Sequence, residues 1–218
     1  MTAFDRVLDD TGRRIVDGRL AAGSVLTVET LVAEHDVSRS IVREAVRVLV
    51  SLDLLEARQR VGLRVLPSPR WNVLDARVIR WRLASGAAGR AAQRSELVAV
   101  RLSVEPSAAE AAARRAAGPE ASALLHLADR LAVAEHPAEF LDVDLAFHRA
   151  LLRLSGNRMF QRLGAVVDEA LEDRAGHVAH PDPHDVALHA AAARAVAAGR
   201  PGDAAAAVRE IVTRTVEP

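Results

Sequence analysis

Three side chains in the second half of the sequence have the types and spacing of a metal site. Asp144 and His148 are four residues apart, so a helix would place both on one face, one turn apart. A carboxylate and an imidazole at this spacing can share one divalent ion, and His189 can supply a third ligand from a later helix. The same pair can also form an intrahelical ion pair, with His189 as a partly buried polar residue. The residues by themselves leave both interpretations open.

A second charged pair, Arg101 and Glu105, also has the spacing of neighbours on a helix. One interpretation is a surface ion pair, which contributes about 0.3–0.5 kcal/mol at best. The other is that Arg101 points into a helical bundle, where its planar guanidinium can clamp the carboxylate of a small acid. The spacing is compatible with both interpretations.

A third group of chemically active residues is rich in arginine and lies in the first third of the chain. A helix that begins with serine and arginine suits phosphate oxygens and guanine edges, because its first amides are unpaired and arginine offers a bidentate donor fork. Arg47 lies one helical turn beyond Arg43, and we predict that it meets phosphate or solvent. We predict DNA contacts from the helix residues Ser38, Arg39, Ser40 and Arg43, and from the loop residues Arg58, Arg60 and Gly62.

The elements around these arginines predict a winged helix-turn-helix. Apolar residues repeat at helical spacing over 27–35 and 38–51, with only two residues between the segments. This arrangement places the second helix in the major groove of DNA. Two short strands, 54–58 and 63–66, are predicted around a turn that holds Gly62, and they would form the wing. An amphipathic helix over 4–17 precedes the motif.

The run Pro67-Ser68-Pro69 marks the predicted boundary between two domains, because two prolines disfavour helix. We predict a DNA-binding domain over 1–66, a linker over 67–70 and a second domain over 71–218. The second domain is predicted to be an antiparallel all-α bundle of six or seven helices joined by short loops, so the fold class is mostly α. Its predicted helices are 71–85, 94–117 with a kink at Pro106, 120–135, 138–154, 158–178, 185–198 and 204–215.

The composition limits where the protein works and what it binds. The 218 residues include no cysteine, so disulfide and thiol chemistry are absent, and no apolar run approaches the ~20 residues that span a bilayer. We therefore expect a soluble cytoplasmic protein. The net charge is zero, yet residues 37–70 contain seven arginines against three acidic residues. The basic excess is confined to the predicted recognition helix and wing.

Two parts of the sequence resemble known families. The stretch VSRSIVREAVRVLVSLDLLEARQRVGLRV resembles the DNA-binding domain of GntR-type bacterial transcription regulators. The segments ELVAVRLSVEPSAAEAAARRA, DLAFHRALLRLSGN and HAAAARAVAAG resemble the FCD ligand-binding domain of the FadR subfamily. The join WNVLDARVIRWRL resembles the same stretch in FCD repressors of galactonate and related sugar-acid catabolism. Together these resemblances cover nearly the whole chain.

The resemblance implies roles for individual residues of the second domain. Asp144, His148 and His189 match the ligands of a divalent metal ion, zinc or a similar ion, and Arg101 matches the arginine that binds the acid group of the effector. The family's usual fourth ligand, a histidine, aligns with Ile211. The expected site therefore has three protein ligands and open positions for water or for oxygens of an effector.

The resemblance also shows one departure in the DNA-binding domain. The family usually carries Leu-Pro and a Glu-Arg pair before the first helix of the motif, whereas this chain has Leu26-Thr27 and Glu29-Thr30. One arginine that often contacts DNA in the family is therefore missing.

These observations predict a homodimeric transcription repressor that binds double-stranded operator DNA and a small carboxylate effector, such as an aldonate. A helical metal-dependent enzyme acting on small acids is the alternative, with the predicted metal ion activating water. In such an enzyme the arginine-rich helix and wing would have no role. A purely architectural DNA binder is the third possibility, but it has little use for a buried cluster of ionisable groups.

Overall fold

The computed structural model describes residues 1–115, 119–175 and 182–214. The chain forms two compact units, the first from Met1 to Gln93 and the second beginning at Arg94. Helices dominate both units and a small sheet belongs to the first, which confirms the predicted mostly-α fold class. Within the described residues, no helix combines the length and apolar character that crossing a bilayer requires.

The helices of the first unit begin at side chains that cap them. Helix α1 spans Ala3–Val16, α2 spans Val28–His35, α3 spans Arg39–Ser51 and α4 spans Ala76–Leu83. The oxygen side chains of Thr2, Thr27, Ser38 and Asp75 each accept a hydrogen bond from an amide of the first turn. Helices α2 and α3 are the predicted helix-turn-helix. Their apolar side chains, Leu31 of α2 and Val42 and Leu49 of α3 among them, pack in one core with α1.

The wing is part of a three-stranded antiparallel sheet. Strands β1 (Val25–Leu26), β2 (Leu55–Arg58) and β3 (Gly62–Val65) lie in the order β1-β3-β2. The β2–β3 hairpin is the predicted wing, whereas β1 was not predicted because a two-residue strand carries no periodicity. Gly62 begins β3 with a φ of +112°, and a Cβ there would lie 2.7 Å from the carbonyl oxygen of Leu26. A glycine is therefore required where β1 and β3 meet.

The start of the helix predicted over 71–85 is wrong. A 3-10 helix at Ser68–Arg70 comes first, and α4 begins only at Ala76, behind the cap Asp75. Helix α4 packs on α1 through Trp81, whose ring occupies the space that a Cβ on Gly12 would need, and whose Nε1 donates to Asp9 Oδ1 at 3.1 Å. This packing is why the first compact unit extends beyond the linker predicted at 67–70.

The second unit is a helical bundle in all of its described elements. Helix α7 packs against α6 and α9, and α10 packs against α6 and α11. Alanines and a few large side chains, Phe147 and Leu151 among them, fill the core. The remaining helices are α5 (Ala87–Arg115), α6 (Pro119–Val133), α7 (Pro137–Leu154), α8 (Arg158–Arg162), α9 (Gly164–Ala175), α10 (Pro183–Ala197) and α11 (Pro201–Arg214).

Two details of the predicted bundle are wrong. Residues 87–90 are helical rather than a connection, because the amide of Arg90 already donates to the carbonyl of Gly86, so α5 begins at Ala87. The helix predicted over 158–178 is divided at Leu163, where a tight turn bonded to Phe160 ends α8 before α9 begins. Asn157 caps α8 through its side chain.

Candidate metal and DNA-binding sites

Three helices of the second unit bring buried ionisable side chains together. Arg101 and Glu105 project from α5, Asp144 and His148 from α7, and His189 from α10. Each of these five residues is at most 3% exposed. Burying so many ionisable groups is costly unless they satisfy one another or bind a ligand, so this group is the candidate site.

The three predicted metal ligands converge on one point. Asp144 Oδ1 lies 3.0 Å from Nε2 of His189 and 3.3 Å from Nε2 of His148. One ligand atom from each residue lies within 4.8 Å of the other two. None of the three atoms completes a hydrogen bond with any described residue. A divalent ion can be bound by three buried ligand atoms that face one another and are not engaged in hydrogen bonds.

The contacts of Nδ1 on each imidazole ring explain why Nε2 of that ring faces Asp144. Nδ1 of His189 lies 2.7 Å from the backbone carbonyl oxygen of Asp185, so it carries the proton and donates. Nδ1 of His148 lies 2.5 Å from Oε2 of Glu105. Phe147 packs edge-on against both rings, with centroids 5.7 and 4.9 Å away. Both histidines are therefore held with Nε2 directed at Asp144.

Arg101 is buried, so the interpretation of a surface ion pair with Glu105 is wrong. The two residues do pair: Arg101 Nε donates to Glu105 Oε1 at 2.5 Å, and a terminal nitrogen donates to Oε2 at 3.4 Å. The arginine points into the bundle beside the metal-ligand candidates. A buried guanidinium in this position can bind a carboxylate, because it offers five donors in a planar fork.

Burial and charge act against each other on these groups. Burial alone would raise the pKa of Glu105, but Arg101 and His148 outweigh it and lower that pKa to about 2. Burial alone would lower the pKa of His148, but Glu105 and Asp144 raise it to about 9. The pKa of Asp144 is well below its usual range, because both histidines overcome the effect of burial. The carboxylates are therefore charged at neutral pH.

The raised pKa of His148 predicts a pH-dependent stability. Since that pKa is about 9 in the folded protein and 6.5 without perturbation, the proton stabilises the fold fully below pH 6.5. The contribution, of the order of 3 kcal/mol, is lost as the pH rises through 9. Urea denaturation of chelator-treated protein at pH 7 and pH 9.5 measures it. A His148→Gln variant should lack this loss, and equal losses in both proteins would contradict the prediction.

The predicted recognition residues lie at the start of α3. Ser38 is the N-cap, and its hydroxyl is 2.9 Å from that of Ser40 and accepts from the amide of Ile41. Arg39 and Arg43 are exposed, and Arg39 forms a 2.9 Å ion pair with Glu29 of α2. These side chains are thus presented on the helix end that can enter a groove.

The predicted wing residues lie at the hairpin turn. Arg58 ends β2 and pairs with Glu56 at 2.8 Å, and Arg60 is exposed in the turn with a φ of +64°. Gly62 has the structural role described above, at the junction with β1. Arg58 and Arg60 can therefore reach phosphates.

Two features of the site, Asp185 and the contact between Glu105 and His148, were not predicted from the sequence. Asp185 stands four residues before His189, the same spacing as the first acid–histidine pair, and this repeat was a usable signal. Its carboxylate pairs with Arg174 of α9 at 3.1 Å. The contact of Glu105 with His148 had no signal, because it joins two different helices.

Among the described residues, no fourth side chain joins Asp144, His148 and His189 as a metal-ligand candidate. Ile211, at the family's fourth ligand position, is fully buried in α11 and offers no ligand atom. The sequence predicts a solvated loop for the proline-broken segment HVAHPDPHD, but its His184 belongs to α10 and pairs with Glu210 at 3.1 Å. The sequence also makes His180 a candidate to replace the missing fourth ligand, but His177 and His180 lie outside the described residues.

A winged helix-turn-helix followed along the chain by a helical unit with a buried acid–histidine–arginine cluster defines a class of DNA-binding transcription regulators. Residues 5–65 match the bacterial regulatory proteins of the gntR family, and residues 96–214 match the FCD domain. The chain belongs to the GntR family of bacterial transcription regulators and carries an FCD domain.

Individual relatives agree with this assignment. The galactonate operon transcriptional repressor of Escherichia coli K12 is 32% identical over 75% of this chain and 71% of its own length. A GntR protein of Streptococcus agalactiae has a similar fold, with a TM-score of 0.54, 24% identity and 98% coverage of both chains. E. coli McbR/YncC aligns with a TM-score of 0.53 and 18% identity, covering 99% of this chain and 96% of its own. The homologues are transcription regulators and not enzymes.

Proposed function

We propose that this protein is a repressor that binds operator DNA as a homodimer and responds to a small organic acid. Two copies would place their α3 helices on a pseudo-palindromic operator with half-sites about one helical turn apart. The family and the exposed arginines at the start of α3 support this proposal. Operator binding places the protein in the cytoplasm.

The observation that carries the effector site is the convergence of Asp144 Oδ1 with Nε2 of His148 and His189. We assign these atoms to a divalent ion, zinc or a similar metal. Three protein ligands leave positions that oxygens of an acid can occupy. The bound ion would supply positive charge and coordination sites for a carboxylate and a neighbouring hydroxyl group.

Arg101 is the residue we assign to the carboxylate of the effector. Burial lowers its pKa, yet Glu105 outweighs this and raises it, with further contributions from Asp144 and Asp185. Arg101 is therefore a permanent cation within electrostatic reach of the metal-ligand candidates. Since a relative at 32% identity is a galactonate operon repressor, we propose a sugar acid of the aldonate type as the effector.

The proposed domains are the winged helix over 1–66, a linker over 67–70 and the effector domain from residue 71. In this division α4 belongs to the effector domain by sequence and packs with α1 in the first compact unit. Acid binding would change the affinity for DNA, and by linkage DNA would change the affinity for the acid by the same factor.

A thermal-shift experiment tests the effector site. D-galactonate at 100 times its dissociation constant should stabilise the zinc-treated protein by about 2.7 kcal/mol. Chelator should abolish the shift, and the uncharged alditol of the same length should give none. The same acid should change the affinity for operator DNA in a gel-shift assay. If galactonate, gluconate and shorter hydroxy acids all leave the melting temperature unchanged with and without zinc, the effector site is wrong.

A further inference from the structure

One carboxylate connects the two halves of the proposed effector site. Glu105 is fully buried, and its two oxygens contact different partners. Oε1 accepts from Nε of Arg101 at 2.5 Å, whereas Oε2 lies 2.5 Å from Nδ1 of His148. Arg101 is the proposed acid-binding residue and His148 a proposed metal ligand. Glu105 therefore lies between them and touches both.

The contact with His148 bears on which nitrogen can bind a metal. A neutral imidazole carries one proton, and Nε2 can act as a ligand only when that proton is on Nδ1. A negative oxygen beside Nδ1 favours this tautomer and orients the ring. The two atoms are at ion-pair distance, and Nδ1 completes no hydrogen bond with any other described residue.

The second histidine provides an internal comparison. Nδ1 of His189 faces the backbone carbonyl oxygen of Asp185 at 2.7 Å, and a backbone carbonyl can only accept. The tautomer of His189 is thus set by the main chain of its own helix. The tautomer of His148 depends instead on a side chain of another helix, which a single substitution can change.

We propose that Glu105 is a positioning residue for the metal ion, because it holds His148 in the tautomer that presents Nε2 while Arg101 holds Glu105. This inference rests on the proposed metal site. Glu105 also couples the metal ion to the effector acid, since its carboxylate contacts both the metal-ligating histidine and the acid-binding arginine. An acid that draws Arg101 towards itself would leave more of the Glu105 charge facing His148.

Glutamine cannot replace glutamate in this role. A glutamine oxygen directed at Nδ1 of His148 would place the amide NH₂ against the N–H groups of Arg101. A glutamine oxygen directed at Arg101 would place the NH₂ against Nδ1, which favours the tautomer with the proton on Nε2. Glu105→Gln can therefore satisfy one partner but not both.

The test is a titration with Co²⁺ alone, followed by visible spectroscopy and competition with a chelating indicator. Glu105→Gln is expected to bind Co²⁺ 10- to 100-fold more weakly and with a shifted visible band. Histidine ¹⁵N NMR of the zinc-treated proteins should show that His148 loses the Nδ1–H tautomer while His189 keeps it. If Glu105 had a purely structural role, Glu105→Gln would not change the tautomer of His148 while leaving that of His189 unchanged.

The matched control is Glu110→Gln. Glu110 is also four residues from an arginine on α5, but in the opposite order, and it contacts Arg114 at 2.5 Å with both side chains exposed. It should bind Co²⁺ like the unchanged protein. If the unchanged protein binds no Co²⁺, the proposed metal site fails and this inference with it. If it binds Co²⁺ and Glu105→Gln matches it in affinity and spectrum, only the role of Glu105 is overturned.

A second variant covers the case in which Glu105→Gln does not fold, since it leaves a buried arginine without a neutralising negative charge. The double variant Arg101→Met with Glu105→Gln removes both charges and lets the glutamine oxygen turn to Nδ1. A neutral acceptor is weaker than a carboxylate, so we expect Co²⁺ affinity about tenfold below that of the unchanged protein. An unchanged affinity in the double variant would overturn the inference.

Discussion

Replacing His189 with glutamine is expected to weaken divalent-metal binding by about 100-fold or more. Nε2 of His189 is one of only three proposed ligand atoms, and it lies 3.0 Å from Asp144 Oδ1. Losing an outer partner of a ligand already costs about 10–100-fold in affinity, so losing a ligand should cost at least as much. The glutamine amide can still donate to the carbonyl of Asp185, which preserves the packing of α10. Competition for Zn²⁺ with a fluorescent chelator measures the effect.

The loss of metal affinity should also appear in stability. A metal at 100 times its dissociation constant stabilises a protein by about 2.7 kcal/mol, and a 100-fold weaker site loses nearly all of this. His184→Gln is the matched control, because His184 is on the same helix and its half-exposed side chain pairs with Glu210, away from the candidate site. Zinc affinity in His189→Gln equal to that of this control would rule out His189 as a ligand.

Replacing Arg39 with alanine is expected to cost about 1–3 kcal/mol in binding to operator DNA and far less on random DNA. Arg39 is the first residue of α3 and is exposed, so it can reach base edges in the major groove. Its ion pair with Glu29 is exposed on both sides and contributes only about 0–1 kcal/mol, so releasing it opposes binding little. Fluorescence anisotropy at one salt concentration, with an operator selected from a random library, measures both affinities.

Arg47→Ala is the matched control for this experiment. Arg47 lies two helical turns beyond Arg39 on α3, is more exposed and pairs with Glu44. We expect its loss to have a small effect of equal size on both DNAs, as for a phosphate contact. Equal losses on operator and random DNA for Arg39→Ala would show that Arg39 also contacts only phosphate.

The sequence was sufficient wherever structure depends on neighbours along the chain. The recognition helix was predicted to begin at Ser38, and the caps Ser38 and Asn157 are local hydrogen bonds between a side chain and an amide two or three residues on. The wing hairpin was also predicted, because its strands are joined by a short turn. The class of protein followed from these local patterns together with the family motifs.

The sequence was insufficient wherever distant segments meet. Strand β1 exists because Val25 and Leu26 pair with β3, and neither residue carries a strand pattern by itself. The extent of the first unit depends on Trp81 packing against Gly12 of α1. A ring that fills the place of a missing side chain is visible only once the two helices are in contact.

The proposed effector site shows the same division most clearly. The sequence by itself determined that Asp144 and His148 share one face of a helix, since that follows from helical geometry. The sequence left open whether Arg101 lies on the surface, because an exposed and a buried i,i+4 pair have the same sequence pattern. Only the packing of α5 and α10 against α7 decided that Arg101 is buried, that Glu105 reaches His148, and that His189 meets Asp144. Distances between helices depend on the packing of whole faces and not on spacing along one chain segment.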